Sequence, residues 1–296
     1  MLHKGKARQT IGFHNTGEDG VMKMVSGYAT GLLLTILTTS GARSAENPCD
    51  KGLQAAAAKN AASLPTMDWA PFRRPELGWA VYAPLIGEEI AISCPPASAA
   101  FAAGLAAWQV KHHEPGTGVL DQATFLLMEQ VWEQRRPFVM SSRHACPPPP
   151  DESTLASASP DESYGRENIL LRPEALAAYR RLVAAARLEL PALATDRQLL
   201  TIFSGYRSAD HDAARCLSDN NCQGVVRAAC SAHRTGSAMD LYLGAAPGFA
   251  LDSSNDANRL YLSRMPAYLW LVRNASRFGF VNYPFEPWHW EWTRKI

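Results

Sequence analysis

Ser231-Ala232-His233-Arg234-Thr235-Gly236-Ser237-Ala238-Met239-Asp240 opens with a short polar run, turns at Gly236 and continues as an alternating segment through Leu243. A strand sends successive side chains to opposite faces, so Ala238, Asp240 and Tyr242 share one side while Met239, Leu241 and Leu243 share the other. Asp240 is therefore predicted to face a cleft, with the second side turned to a core. Working outward, Leu199–Phe203 is predicted as a strand that delivers Ser204-Gly205-Tyr206-Arg207, and Phe280–Tyr283 as another strand after a glycine cap at Gly279. Helices are expected from Pro173, with Leu176, Tyr179, Val183 and Ala186 as the inner stripe, and from Pro266, with Leu269, Val272 and Ala275. The sum is an α+β unit whose small antiparallel sheet, flanked by helices, carries the site.

The chemistry of that site is read from His233, Asp240 and the later Glu286-Pro287-Trp288-His289. Two imidazoles and a carboxylate make three N/O ligands and leave the fourth position of a tetrahedral zinc ion open, which is a catalytic rather than a structural arrangement. No cysteine falls inside either half of this constellation. Glu286 is a carboxylate three residues before His289, suited to take a proton from water at the metal. Arg207, at the end of a strand, carries a guanidinium whose fork matches a carboxylate with two parallel hydrogen bonds, which suits a substrate with a free C-terminus.

Three motifs in order, Ser204-Gly-Tyr-Arg207-Ser208, Ser231-x-His233-x-x-Gly236-x-Ala238-x-Asp240 and Glu286-Pro-Trp-His289, resemble the VanY-type zinc D-alanyl-D-alanine carboxypeptidases, relatives of the VanX dipeptidases and of phage L-alanyl-D-glutamate endopeptidases. The resemblance runs from Asn168 to Trp292. It implies one Zn²⁺ per chain held by His233, Asp240 and His289, with Glu286 as catalytic base, Arg207 as holder of the substrate carboxylate, and peptidoglycan stem peptides as substrates. Ser231 either bonds the substrate or orients a ligand. Tyr206, Trp288 and Trp290 are core or pocket wall. The chain departs from the family after Arg207, where Asp210-His211-Asp212 stands in place of a glutamine and a cysteine-containing loop follows. Hence two peptidase readings stay open beside the carboxypeptidase, an endopeptidase cutting within the stem and a dipeptidase, together with a non-catalytic wall-binding protein, which an intact Glu286 argues against.

Composition adds bounds. The chain has 296 residues, 47% hydrophobic and 19% charged, an ordinary globular balance with room for one or two domains. A short apolar run behind Lys23, followed by Ala42-Arg43-Ser44-Ala45, reads as a secretory signal peptide over residues 1–45, with an uncleaved anchor as the other reading. The remaining chain carries 24 basic against 26 acidic residues, and no concentrated basic face for nucleic acid is visible. All six cysteines, Cys49, Cys94, Cys146, Cys216, Cys222 and Cys230, lie beyond the proposed cleavage point, and an even number in an exported chain points to disulfides. Fifteen pairings are formally possible for six cysteines; Cys216 with Cys222, flanking the turn-prone Ser218-Asp219-Asn220-Asn221, is the one expected. The chain is thus read as a periplasmic or wall-associated protein with no stable membrane insertion after cleavage.

Residues 46–144 are predicted to form a small helical domain. Phe101, Leu105 and Trp108 recur at helical spacing, as do Phe125, Met128 and Trp132 behind Asp121 as N-cap. The helix, Gly-containing loop and helix resemble small peptidoglycan-binding modules. Cys146-Pro-Pro-Pro-Pro150 and the Ser/Asp/Glu stretch after it read as a stiff linker over residues 145–165, spacing this domain from a peptidase domain over residues 166–296.

Overall fold

The first helix, α1 (Gln54–Ser63), forms where Ala55–Ala58 and Ala61-Ala62 give high helix propensity. This is a computed structural model, and it describes residues 47–142, 145–218, 220, 222 and 230–293; the proposed signal segment lies outside the described residues. Buried Asn60 of α1 donates to the Gly118 carbonyl and accepts from the Leu120 amide, both at 2.9 Å, fastening a distant loop. A two-residue antiparallel ribbon follows, β1 (Asp68–Trp69) with β2 (Glu76–Leu77). Next comes α2 (Ala83–Glu89), absent from the sequence reading, with Pro84 in its first turn. The two amphipathic helices emerge as expected: α3 (Ala99–Lys111), capped by Ser98, and α4 (Gln122–Gln134), whose first turn is capped by Asp121 accepting from Thr124 N at 2.8 Å. Their stripes bury with Trp69, Phe72, Trp79, Tyr82 and Ile86 in an aromatic-rich core. Arg136 precedes Pro137, which disfavours helical backbone at the residue before it, so α4 stops and the short α5 (Pro137–Ser141) starts anew.

The stretch expected to stand as a spacer is instead tied down. Cys146 is disulfide-bonded to Cys230, β3 (Ala156–Ser157) pairs antiparallel with β4 (Leu170–Leu171), and Glu162 accepts from Arg180 at 2.7 Å on α6 (Pro173–Glu189). Local composition suggested an extended rod, but edge pairing and a cross-link override it. Cys49 with Cys94 and Cys216 with Cys222 are the other disulfides, the latter as expected, so the described cysteines are spent on cross-links.

Beyond α6, whose predicted inner stripe is buried, come α7 (Ala192–Thr195), β5 (Ile202–Ser204) and α8 (Ala209–Ser218). Then follow β6 (Ala238–Leu241), α9 (Asp256–Ser263), α10 (Pro266–Asn274), β7 (Phe280–Tyr283) and β8 (Glu286–Trp292). The four long-range strands form one antiparallel sheet in the order β5-β6-β8-β7. Met239, Leu241, Trp288, Trp290 and Trp292 point into a core shared with α6 and α10. The alternation read from sequence therefore holds.

The described residues fall into one compact unit, and the helical half is fused to the sheet half by a buried polar knot. Arg259 of α9, fully buried, donates to the Phe285 carbonyl at 2.8 Å and to Tyr82 Oη at 2.5 Å, and lies 3.0 Å from Glu76. Phe285, in the turn between β7 and β8, sits in the aromatic core of the helical half with the Arg259 guanidinium 4.0 Å over its ring.

Candidate active site

Three loops and strands bring the predicted ligands to one point. Asp240 and His289 are cross-strand partners on β6 and β8, and His233 comes from a short 3-10 turn closed by Gly236 in the left-handed region, φ +69°. Glycine suits that backbone, and a Cβ there would also press on Leu155 Cδ2 of the 145–165 stretch at 3.1 Å. The ligand atoms form a triangle: His233 Nε2 to His289 Nδ1 3.1 Å, His289 Nδ1 to Asp240 Oδ1 2.9 Å, and His233 Nε2 to Asp240 Oδ1 3.2 Å. Zinc bonds of about 2.0–2.1 Å in a tetrahedron separate ligand atoms by roughly 3.3 Å, so this triangle fits the face of a tetrahedral zinc ion. All three residues are buried.

The His233 tautomer agrees with that fit. His233 Nδ1 donates to the Gly205 carbonyl at 2.6 Å, leaving the Nε2 lone pair turned inward. Gly205 is needed for this approach, because a Cβ would stand 2.7 Å from the Leu170 carbonyl oxygen. Burial, and then the Arg207 charge, push the His233 imidazole down to about 4, keeping it neutral. Burial alone would raise Asp240, yet the two imidazoles hold its carboxyl well below the usual range. His289 loses to burial and gains from Asp240 and Glu291, with a net rise to about 9. Its Nε2 stands 3.4 Å from Glu291 Oε1.

Glu286 opens β8, its Oε2 3.9 Å from His289 Nδ1, and burial pushes its carboxyl up to about 7. Arg207 follows β5 and is fixed from two sides: Nε donates to Asp212 at 3.2 Å and Nη1 to Ser204 Oγ at 3.0 Å, leaving Nη2 without a protein partner among the described residues. Nη1 is 4.0 Å from Asp240 Oδ2, so the guanidinium borders the triad. Ser231 lines the cleft, its hydroxyl donating to Asp212 at 2.8 Å and its amide to the same carboxylate at 3.2 Å. It touches none of the three ligands, and what it holds is the carboxylate that also fixes Arg207. His211 is exposed on α8, while Trp288 and Trp290 belong to the core, Trp288 also reaching the cleft.

A cleft of about 730 Å³ contains these groups, and its far wall comes from the helical half through Phe72, Arg73, Gln122, Glu129 and Arg136. Sequence reasoning gave no role to Asp212, Glu291 or Arg136. Asp212 was legible only as a departure from the family's glutamine, and Glu291 as the residue on the same strand face as His289; nothing local in the sequence marks Arg136.

Comparison with known proteins bears on the same part of the chain. The family model described as VanY, D-alanyl-D-alanine carboxypeptidase, matches residues 168–295. No curated protein matches the chain. Among solved structures, the chain is similar to the LdcB LD-carboxypeptidase, at 25% identity over 49% of this chain and 70% of that one, with a TM-score of 0.36. It is also similar to a mutant of the vancomycin-resistance D,D-pentapeptidase VanY in complex with Zn(II), at 20% identity over 49% of this chain and 83% of that one, with a TM-score of 0.30. The stretch that carries the triad is thus the part of the chain that matches the VanY, D-alanyl-D-alanine carboxypeptidase, family model.

Proposed function

We propose that this protein is a zinc D,D-carboxypeptidase that removes the terminal D-Ala from peptidoglycan stem peptides. The observation that carries the reading is the meeting, at one end of one cleft, of the His233–Asp240–His289 triangle with a carboxylate and an anchored guanidinium. A zinc ion held by the triangle supplies Lewis acidity toward a peptide carbonyl and toward water. Glu286 Oε2 takes the proton of the attacking water and returns it to the departing amine; a carboxyl raised toward 7 is matched to both halves of that task. Arg207, immobilised by Asp212 and Ser204, offers Nη2 to the substrate's terminal carboxylate, which sets the last peptide bond over the triad. Three disulfides support a working place in an oxidising, exported setting.

A substrate panel tests the reading. A stem pentapeptide ending in D-Ala-D-Ala should lose one D-Ala, with activity abolished by EDTA and restored by Zn²⁺. Amidating the terminal carboxylate should lower kcat/KM by about 10- to 100-fold, because Arg207 keeps its pair with Asp212 but loses the charge-assisted hydrogen bond to the substrate. An acid-to-amide ratio near one, with products cut inside the stem, would replace the carboxypeptidase by the endopeptidase reading. Lysines fall at 4, 6, 23, 51, 59, 111 and 295, and none has serine three residues before it, so no Ser-x-x-Lys nucleophile exists. Fluorescent penicillin should accordingly leave the protein unlabelled, and stoichiometric labelling would refute the metal mechanism.

A further inference from the structure

Of the charged side chains that line the cleft from outside the stretch that matches the family, Arg73, Glu129, Glu133 and Arg136, the last reaches the sheet. Arg136 lies at the junction of α4 and α5, where Pro137 forces extended backbone, φ −92° and ψ 112°, and turns the residue out of the helix toward the sheet. There it is 6% exposed, and Nε and Nη2 both donate to Glu291 Oε1, at 2.8 and 2.5 Å. Its guanidinium lies 4.1 Å over the Tyr283 ring, which in turn meets the His289 ring edge-on at 6.1 Å. Glu291 is 2% exposed, and the same Oε1 stands 3.4 Å from His289 Nε2, the nitrogen that faces away from the triad. Neither His289 Nε2 nor Glu291 Oε2 has a hydrogen-bond partner of its own. The two hydrogen bonds from Arg136 fix the position of this deeply buried carboxylate behind His289.

We propose that Arg136 is a positioning residue for the active site: by anchoring Glu291 it holds the His289 ring with Nδ1 toward Asp240 and His233, so the helical half completes the metal site as well as walling the cleft. The inference rests on the zinc reading of the triad. It gives the helical half a task that an independent wall-binding module would not have. Partners in this position orient the imidazole and sustain its basicity, and their loss typically weakens metal binding by about 10- to 100-fold.

The test uses the full chain as Arg136→Met, Arg136→Lys and Glu291→Gln, with Arg259→Met as control, since Arg259 ties the halves without touching the triad. Zinc dissociation constants are measured by competition with a chromogenic chelator, beside melting temperatures of the metal-free proteins and kcat and KM on the pentapeptide. Arg136→Met and Glu291→Gln should bind zinc about 10- to 100-fold more weakly and lose kcat with KM nearly unchanged, and Arg136→Lys should recover part of both. Arg259→Met should lower the melting temperature and keep wild-type zinc affinity. Wild-type zinc affinity in Arg136→Met, or an equal loss in Arg259→Met, would overturn the proposal and make Arg136 structural only. Should Arg136→Met not fold, Arg136→Lys against Glu291→Gln carries the same comparison. Wild-type protein that fails to bind zinc would bring down the zinc reading itself, a different result from wild type that binds and variants that match it.

Discussion

His233 turns Nε2 inward because the Gly205 carbonyl accepts a hydrogen bond from Nδ1–H, and the same logic places a carboxylate behind His289. Asp212 does the corresponding work for Arg207: 3% exposed, it accepts from Arg207 and twice from Ser231, so one carboxylate fixes the guanidinium and the loop that leads to His233. The chain thus buries a charge at Asp212 that the arginine neutralises. Glu286 stands apart from this scaffolding. Its Oε2 is 3.9 Å from His289 Nδ1, too far for a hydrogen bond, so it is not needed to hold the triangle. Glu286→Gln should therefore keep one zinc per chain by metal analysis while kcat falls by about 10²- to 10⁴-fold, the usual worth of a general base. Loss of the metal in that variant would make Glu286 a ligand instead.

Among elements, β8 does the most: one strand supplies Glu286 and His289 to the cleft, Glu291 beneath it, and Trp288, Trp290 and Trp292 to the core. The β3–β4 ribbon shows how weak local signals are settled by partners. Ser and Pro around residues 157–160 have no periodicity of their own, but the chain pairs with Leu170-Leu171 and is then clasped by Arg180 onto Glu162. Hydrogen bonds from Arg180 hold the Glu162 carboxyl down to about 2, against an ordinary value of 4.5. A carboxyl depressed by folding contributes stability that is complete above the ordinary value and is lost as pH falls toward the depressed one. Glu162→Gln should thus lower stability by less than about 1 kcal/mol at pH 7, the pair being partly solvated, and by clearly less at pH 2, where the carboxyl is about half protonated. Melting curves at the two pH values check this; an equal deficit at both would mean that the glutamate acts through packing.

Across the whole molecule, the two halves share the Arg259 knot, the Phe285 anchor and the Arg136–Glu291 pair, and the cleft lies between them. The disulfides reinforce this at different ranges, Cys146–Cys230 spanning 84 residues and Cys216–Cys222 only 6. Because a cross-link restricts the unfolded chain more when its loop is longer, removing the first by paired Cys→Ser changes should lower the melting temperature more than removing the second, within a typical range of about 2–4 kcal/mol per bridge. Equal shifts would contradict the entropic account, and six free thiols in the purified protein would contradict the cross-links themselves.

The sequence alone determined what is local and periodic. Alternation along residues 237–243 set which face of β6 carries Asp240, proline and acid marked the start of α6, and Gly236 and Gly279 marked backbone turns at positive φ. It also named the triad, because the spacing of His233, Asp240, Glu286 and His289 is itself the signal. Hidden from it was everything that depends on chain segments far apart: the 145–165 stretch pinned rather than extended, Ser231 spent on Asp212, and Arg136 reaching Glu291 across 155 residues. A charged side chain reads as solvent-facing in sequence, since burial of an ion is unfavourable without a partner, and the partner of Arg136 or Arg259 exists only once tertiary packing brings it within 3 Å.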